Sequence, residues 1–200
     1  TKSFPAEIVR AAIVAGLRDI GENRVQEARD KRGLLSDLTG VCWHLVGHLQ
    51  KNKAGLAVAL FDLIHSVDSR ELAELLERRA ALLGRTIRIL LEVNVGGEVT
   101  KFGFRWEQES ALCSAVEGIV CLPHLRLEGL MTVAPMVSDP EQVRPLFERL
   151  RRLRERLRER YPQVPWQHLS MGMTDDYEVA VEEGATMIRL GRALFGERPG

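Results

Sequence analysis

Leu169-Ser170-Met171-Gly172-Met173-Thr174-Asp175-Asp176 and Met187-Ile188-Arg189-Leu190-Gly191-Arg192-Ala193-Leu194-Phe195-Gly196 are the stretches that decide how this chain folds. In each, a strand-like apolar run meets a glycine and a helical pattern starts within a few residues. Backbone N–H groups at a helix N-terminus, with a glycine to let the ligand approach, form an anion site. In a (β/α)8 barrel the loops after strands seven and eight are the usual phosphate position. Lys2, at the other end of the chain, can then supply an amine to a phosphorylated aldehyde.

Upstream of these turns the chain alternates strand and helix. Strands are expected at 19–21, 42–46, 63–67, 86–95, 125–132, 164–170 and 185–190. Helices are expected at 5–17, 22–32, 51–60, from a cap at Asp68 or Ser69 to about Leu83, then at 106–120, 141–160 and 175–183. Gly84 stops the fourth of these helices. Thr1-Lys2 reads as the tail of an eighth strand, the rest of which, with the helix before it, is absent from this chain. Repeated βα units imply a parallel sheet, and eight imply a closed TIM barrel. An open doubly wound sheet is the rival, but its glycine fingerprint follows the first strand, and here the phosphate-like turns come last. No composition break divides residues 1–200, so one domain is expected.

Composition narrows the function classes. The 200 residues are 45% apolar, enough to bury one core. Lys+Arg and Asp+Glu are both 28, and the zero net charge argues against a nucleic-acid binder held by bulk charge. No apolar run approaches the ~18 residues of a membrane span, and no signal peptide opens the chain. Cys42, Cys113 and Cys121 are odd in number and widely spaced, as in a reduced cytoplasmic protein. The helix at 141–160 carries eight arginines interleaved with Glu141, Glu148, Glu155 and Glu159 around an apolar stripe, the pattern of a solvated outer-ring helix.

In a barrel, function collects at the C-terminal ends of strands, and the unusual polar residues of this chain fall there. They are Lys2, Asn23, His48 with Lys51 and Lys53, Ser66 and Asp68, Asn94, Thr132, Ser170 to Thr174 and Arg189 to Arg192. Asn23 and Asp68 read equally well as helix caps, and Lys51 and Lys53 as solvated lysines. His48 lies in no Cys/His/Asp pattern with metal-ligand spacing, so no metal site is expected. Arg189 sits inside an apolar run, where an unpaired guanidinium is costly; it needs a carboxylate partner or a polar barrel mouth.

Five segments in register carry a resemblance. Thr1-Lys2-Ser3-Phe4-Pro5, Gly21-Glu22-Asn23-Arg24-Val25-Gln26-Glu27, Trp43-His44-Leu45-Val46-Gly47-His48-Leu49-Gln50-Lys51-Asn52-Lys53 and the two terminal turns resemble the YggS/PROSC family of pyridoxal 5′-phosphate (PLP) homeostasis proteins. The resemblance implies an alanine-racemase N-terminal-domain-like barrel with PLP at its mouth. It matches Lys2 to the family's Schiff-base lysine, and Thr174, beside Ser170, to a phosphate-binding hydroxyl residue. Gly191 and Arg192 match the phosphate turn, Arg189 the arginine that faces the pyridine nitrogen, and Asn23 and Asn94 residues of the cofactor pocket. The implied role is a monomeric cofactor carrier or regulator serving apo PLP-dependent enzymes. With the sequence ending at Gly200, it is not expected to include the second domain that supplies a racemase's opposing acid/base. The alternatives are a PLP-dependent racemase or decarboxylase of similar fold, and a phosphate-binding barrel enzyme in which Lys2 plays no part.

Overall fold

Apolar runs rich in Val, Ile and Leu, buried on both faces, become parallel strands when helices cover their outer side. The computed structural model of the chain follows that rule and describes residues 1–98 and 100–197. The strands are β1 (Asp19–Glu22), β2 (Cys42–Leu45), β3 (Leu63–Val67), β4 (Ile87–Asn94), β5 (Phe104–Arg105), β6 (Leu125–Met131), β7 (His168–Met173) and β8 (Met187–Arg189). All pairings are parallel, in the order β1-β2-β3-β4-β6-β7-β8, and β5 pairs only with the end of β4. The helices are α1 (Ala6–Val14), α2 (Val25–Leu34), α3 (Ala54–Leu60), α4 (Arg70–Leu83), α5 (Glu109–Ile119), α6 (Arg144–Arg160), α7 (Tyr177–Glu182) and α8 (Arg192–Phe195).

The result is a nearly closed barrel. Among the described residues no strand bridges β8 and β1. Thr1 and Lys2 are not a strand, contrary to expectation, but a turn in which the Phe4 N–H donates to Thr1 O at 3.1 Å. That turn still lies against the open edge, because the Thr1 amine donates to Gly21 O on β1 at 2.6 Å. On its far side Phe4 is buried and its ring packs on Phe195 of α8, centroids 5.1 Å apart. The N-terminal turn therefore spans from the first strand to the last helix.

Most element boundaries agree with the sequence reading, and the differences have local causes. Ser69, not Asp68, caps α4, accepting from the Leu72 N–H at 3.3 Å; Asp68 instead takes the Ser69 hydroxyl hydrogen. The helices expected from Lys51 and Glu141 each begin as a 3₁₀ turn (Lys51–Lys53 and Pro140–Val143). The strand expected at 164–170 starts only at His168 and runs on through Gly172 to Met173. β5 was not expected: two residues are too short for a periodic signal. Gly200, the expected domain end, lies outside the described residues.

The outer core packs helices on the sheet, with Phe61, Phe147 and Trp166 almost fully buried. Inside the barrel sits a small separate cluster of Leu63, Leu90 and Met131, packed against Met187. Two residues further along their strands, on the same interior face, come His65, Glu92 and Arg189. The barrel interior is thus apolar in its middle and polar towards its C-terminal mouth.

Candidate functional site

The expected site residues gather into three groups. Ser170 and Arg189 meet inside the barrel: a guanidinium N–H donates to Ser170 Oγ at 2.7 Å, and a second donates to Thr132 O at 2.7 Å. Of the two environments open to an arginine in an apolar run, a paired carboxylate or a polar mouth, Arg189 has the second: these two oxygens hold it, with Asp176 and Glu92 acting on it only through their fields. Burial pulls the Arg189 pKa down to about 10, and the two carboxylates pull the other way. It remains a cation at neutral pH.

Thr174, Gly191 and Arg192 form the second group. The Ala193 N–H at the start of α8 reaches Thr174 Oγ1 at 3.4 Å, so the two terminal turns join into one structure. The Arg192 side chain is taken by Asp175. The two glycines differ in purpose. At Gly172, φ is +92° and a Cβ would lie 2.6 Å from Ala180 Cβ, so packing against α7 requires this glycine. At Gly191 a Cβ would meet nothing within 4 Å: the space above its backbone is open. The first turn's glycine thus has a packing reason, while at the second turn the backbone is left uncovered.

Lys2 and Asn23 form the third group. With Arg24, Gln26, Gly47, His48, Gln50 and Lys53 they line a cavity of about 340 Å³ at the open edge of the mouth. The loop after β2 crosses the loop after β1 so closely that a Cβ on Gly47 would stand 2.4 Å from Asn23 O. His48 is a held histidine: its ring stacks on Phe102 at 3.5 Å, and Nδ1 lies 3.3 Å from Asp68.

Asn94 joins none of these groups. Its amide donates to Glu98 O at 2.7 Å and its carbonyl accepts from the Gly97 N–H at 2.9 Å, so both ends are spent on the loop after β4. That loop is strapped across the mouth, with Phe102 on His48 and Lys101 Nζ 3.4 Å from Val133 O.

Sequence reasoning missed three interior residues. His65 bonds Ser170 Oγ through Nδ1 at 2.9 Å and His44 Nδ1 through Nε2 at 2.9 Å. Glu92 has a buried Oε2 without a hydrogen-bond partner, and burial together with the charge of Asp68 pushes its pKa up to about 7. The signal was present: His65-Ser66 interrupts the wholly buried strand Leu63–Val67, and the cost argument applied to Arg189 applies equally there. The sequence also hid a group of possible metal ligands, since Asp19, Cys42 and His44 have donor atoms within 4.8 Å of one another. There His44 Nε2 is engaged by Asp19 at 3.0 Å, and burial raises the Cys42 thiol pKa, which opposes the thiolate a metal needs.

No helix among the described residues is long and apolar enough to cross a membrane. The family described as "Alanine racemase, N-terminal domain" matches residues 4–199. The pyridoxal phosphate homeostasis protein of Aquifex aeolicus is 45% identical over 198 residues, 99% of this chain and 85% of the relative. That of Pseudomonas aeruginosa is 43% identical over 199 residues, 99% of this chain and 82% of the relative. Among solved structures, PipY of Synechococcus elongatus with PLP bound has a TM-score of 0.90 at 41% identity, covering 98% of this chain and 91% of PipY. Alanine racemase of Clostridium difficile shares the fold, with a TM-score of 0.78 at 17% identity over 98% of this chain and 49% of its own. With the barrel, the joined turns and these likenesses together, the chain belongs to the alanine racemase N-terminal domain family, alongside its pyridoxal phosphate homeostasis proteins.

Proposed function

We propose that this chain binds pyridoxal 5′-phosphate at the C-terminal mouth of the barrel and acts in PLP homeostasis, holding the cofactor exchangeably for apo PLP-dependent enzymes. The observation that supports this is the seating of the turn that carries Lys2: Phe4 packs on Phe195 of α8, the Ser3 N–H donates to Glu27 Oε1 at 2.7 Å, and Lys2 itself lines the cavity with Asn23 and His48. The residues fit the group. The open space over the Gly191 backbone admits a phosphate, and Thr174 offers a hydroxyl at the edge of that space. The N–H groups of Gly191 and Arg192 would hold the phosphate, Lys2 the aldehyde carbon, and Arg189 the ring nitrogen. Asn23 lines the Lys2 cavity, and Asn94 acts at one remove by fixing the loop strapped over the mouth.

When bound, the cofactor supplies an electrophilic aldehyde and an aromatic ring that withdraws electrons most strongly once its nitrogen is protonated. A guanidinium at that nitrogen opposes the proton, since like charges repel. Arg189 therefore favours holding the cofactor over running carbanion chemistry on it, and the role is storage and delivery without established turnover. Borohydride reduction of the PLP-loaded protein, followed by peptide mass analysis, tests the reading: the added mass is expected on Lys2 and lost in Lys2→Ala. Mass fixed on Lys53 or Lys101 would refute the assignment. Turnover is tested separately by α-proton exchange with D- and L-amino acids, where a rate of ~1 per second or faster would make this an enzyme.

A further inference from the structure

We infer that His44, His65 and Ser170 form a one-way hydrogen-bond relay through the barrel interior that positions Arg189, and that a proton added to the relay loosens its hold on the ligand. The direction follows from the one member that can only donate. A guanidinium has no acceptor. Arg189 therefore donates to Ser170 Oγ (2.7 Å), and the Ser170 hydrogen points on to His65 Nδ1 (2.9 Å). His65 Nδ1 must then be bare, so its proton sits on Nε2 and is donated to His44 Nδ1 (2.9 Å). By the same logic His44 carries its proton on Nε2 and donates it to Asp19 Oδ1 (3.0 Å). Every donor finds one acceptor, and both imidazoles are neutral.

The relay crosses the barrel. Ser170 and His65 are 105 residues apart, on the non-adjacent strands β7 and β3, and His44 and Asp19 continue it through β2 to β1. His65 and Ser170 are almost wholly enclosed, while Asp19 is 75% exposed. The line thus runs from solvent to the Arg189 guanidinium at the interior end of the candidate site.

Protonating His65 would turn Nδ1 into a donor aimed at a hydroxyl that already accepts from Arg189. The Ser170 hydrogen would lose its acceptor, and two cations would share one oxygen. The surroundings oppose this. Burial, His44, Arg189, His168 and Arg88 all lower the His65 pKa. At His44 burial lowers it most, Arg88 adds to that, and Asp19 and Asp62 act against it. Glu128 faces His168, and Asp176 and Glu92 face Arg189. Arg189 then keeps one fixed orientation while the imidazoles stay neutral.

The part concerning ligand binding rests on the function proposed above; the tautomers do not. Nitrogen-15 NMR of the unliganded protein is expected to show His44 and His65 neutral at pH 7 with protons on Nε2. Ser170→Ala should change the His65 Nδ1 signal, whereas Ser170→Thr, which keeps the hydroxyl, should retain it. A His65 proton on Nδ1, or a charged His65 at pH 7, overturns the relay. PLP titrations followed by absorbance should show Ser170→Ala weaker by about tenfold at pH 7, the size of one hydrogen bond to a charged group. Wild-type and Ser170→Thr affinity should fall as the imidazoles protonate in acid, with Ser170→Ala losing less. Equal affinity of wild type and Ser170→Ala at every pH overturns the link to the ligand. If wild type takes up no PLP, the proposed function fails while the NMR result still decides the relay.

Discussion

Loss of the Lys31 side chain should cost this fold far more than loss of a surface lysine. Its ammonium is 8% exposed and spends its three hydrogens on three acceptors: Glu22 Oε1 at 2.8 Å, Glu27 Oε1 at 2.6 Å and Thr1 O at 2.7 Å. Glu22 is fully buried on β1, and its other oxygen has no partner. An exposed i,i+4 pair such as Lys31–Glu27 alone would be worth only about 0.3–0.5 kcal/mol. Removing one partner of a buried pair instead strands the other charge, at about 3–5 kcal/mol. Burial decides in favour of the larger figure. Lys31→Met should therefore lower the unfolding free energy by about 3–5 kcal/mol at pH 7, or roughly 2–4 °C in Tm per kcal/mol for a chain of this size. The assay is equilibrium denaturation with an unchanged m-value. Pairing it with Glu22→Gln should recover more than half of the loss, because the double variant leaves no buried charge. A single-variant loss under ~1 kcal/mol, within the range of surface pairs, would refute the reasoning by showing that Glu22 finds water.

Other outcomes follow from the same structure. Glu92 has its pKa raised from 4.5 to about 7, so the folded state holds a proton that the unfolded state releases; stability should fall as pH rises from about 4.5 through 7. Glu92→Gln removes that penalty and should gain up to about 3 kcal/mol at pH 8, with denaturation at pH 5 and 8 showing whether the gain is confined to the higher pH. His65 has its pKa lowered, which gives the opposite arm: stability should fall as pH drops below the unfolded histidine value near 6.5, and a flat profile there would count against a neutral buried imidazole. Ser69→Ala removes the α4 cap and should cost about 1 kcal/mol by thermal or chemical melts. Thr174→Ala should weaken PLP binding by about 1.5–3 kcal/mol while leaving pyridoxal, which lacks the phosphate, unaffected; equal affinity for both ligands in the unmutated protein would mean that no phosphate site exists.

Fold and site were legible to different depths. The alternation of β-branched runs with amphipathic helices, the capped and glycine-stopped α4, and the two terminal turns are local patterns, each set within about fifteen residues, so the sequence by itself determined a parallel barrel with its polar residues at one mouth. It also marked Arg189, because a cation inside an apolar run demands a partner whatever the fold. The partner's identity was not local. Ser170 lies 19 residues away and Thr132 57, and only closing the sheet brings them to one guanidinium. Parallel strands are buried on both faces, so the period-2 pattern that would separate inside from outside is absent: the cost of burial marks His65 as needing a partner, but which face it, His44 and Glu92 take is decided only when the sheet curls. The same holds for Lys31: on a helix with mostly polar composition it reads as a solvated lysine, and only the packing of α2 on β1 seats it against Glu22. Asn94 shows the converse, since its place at a strand end was readable, but the direction of its amide was fixed by the loop that folds back over it.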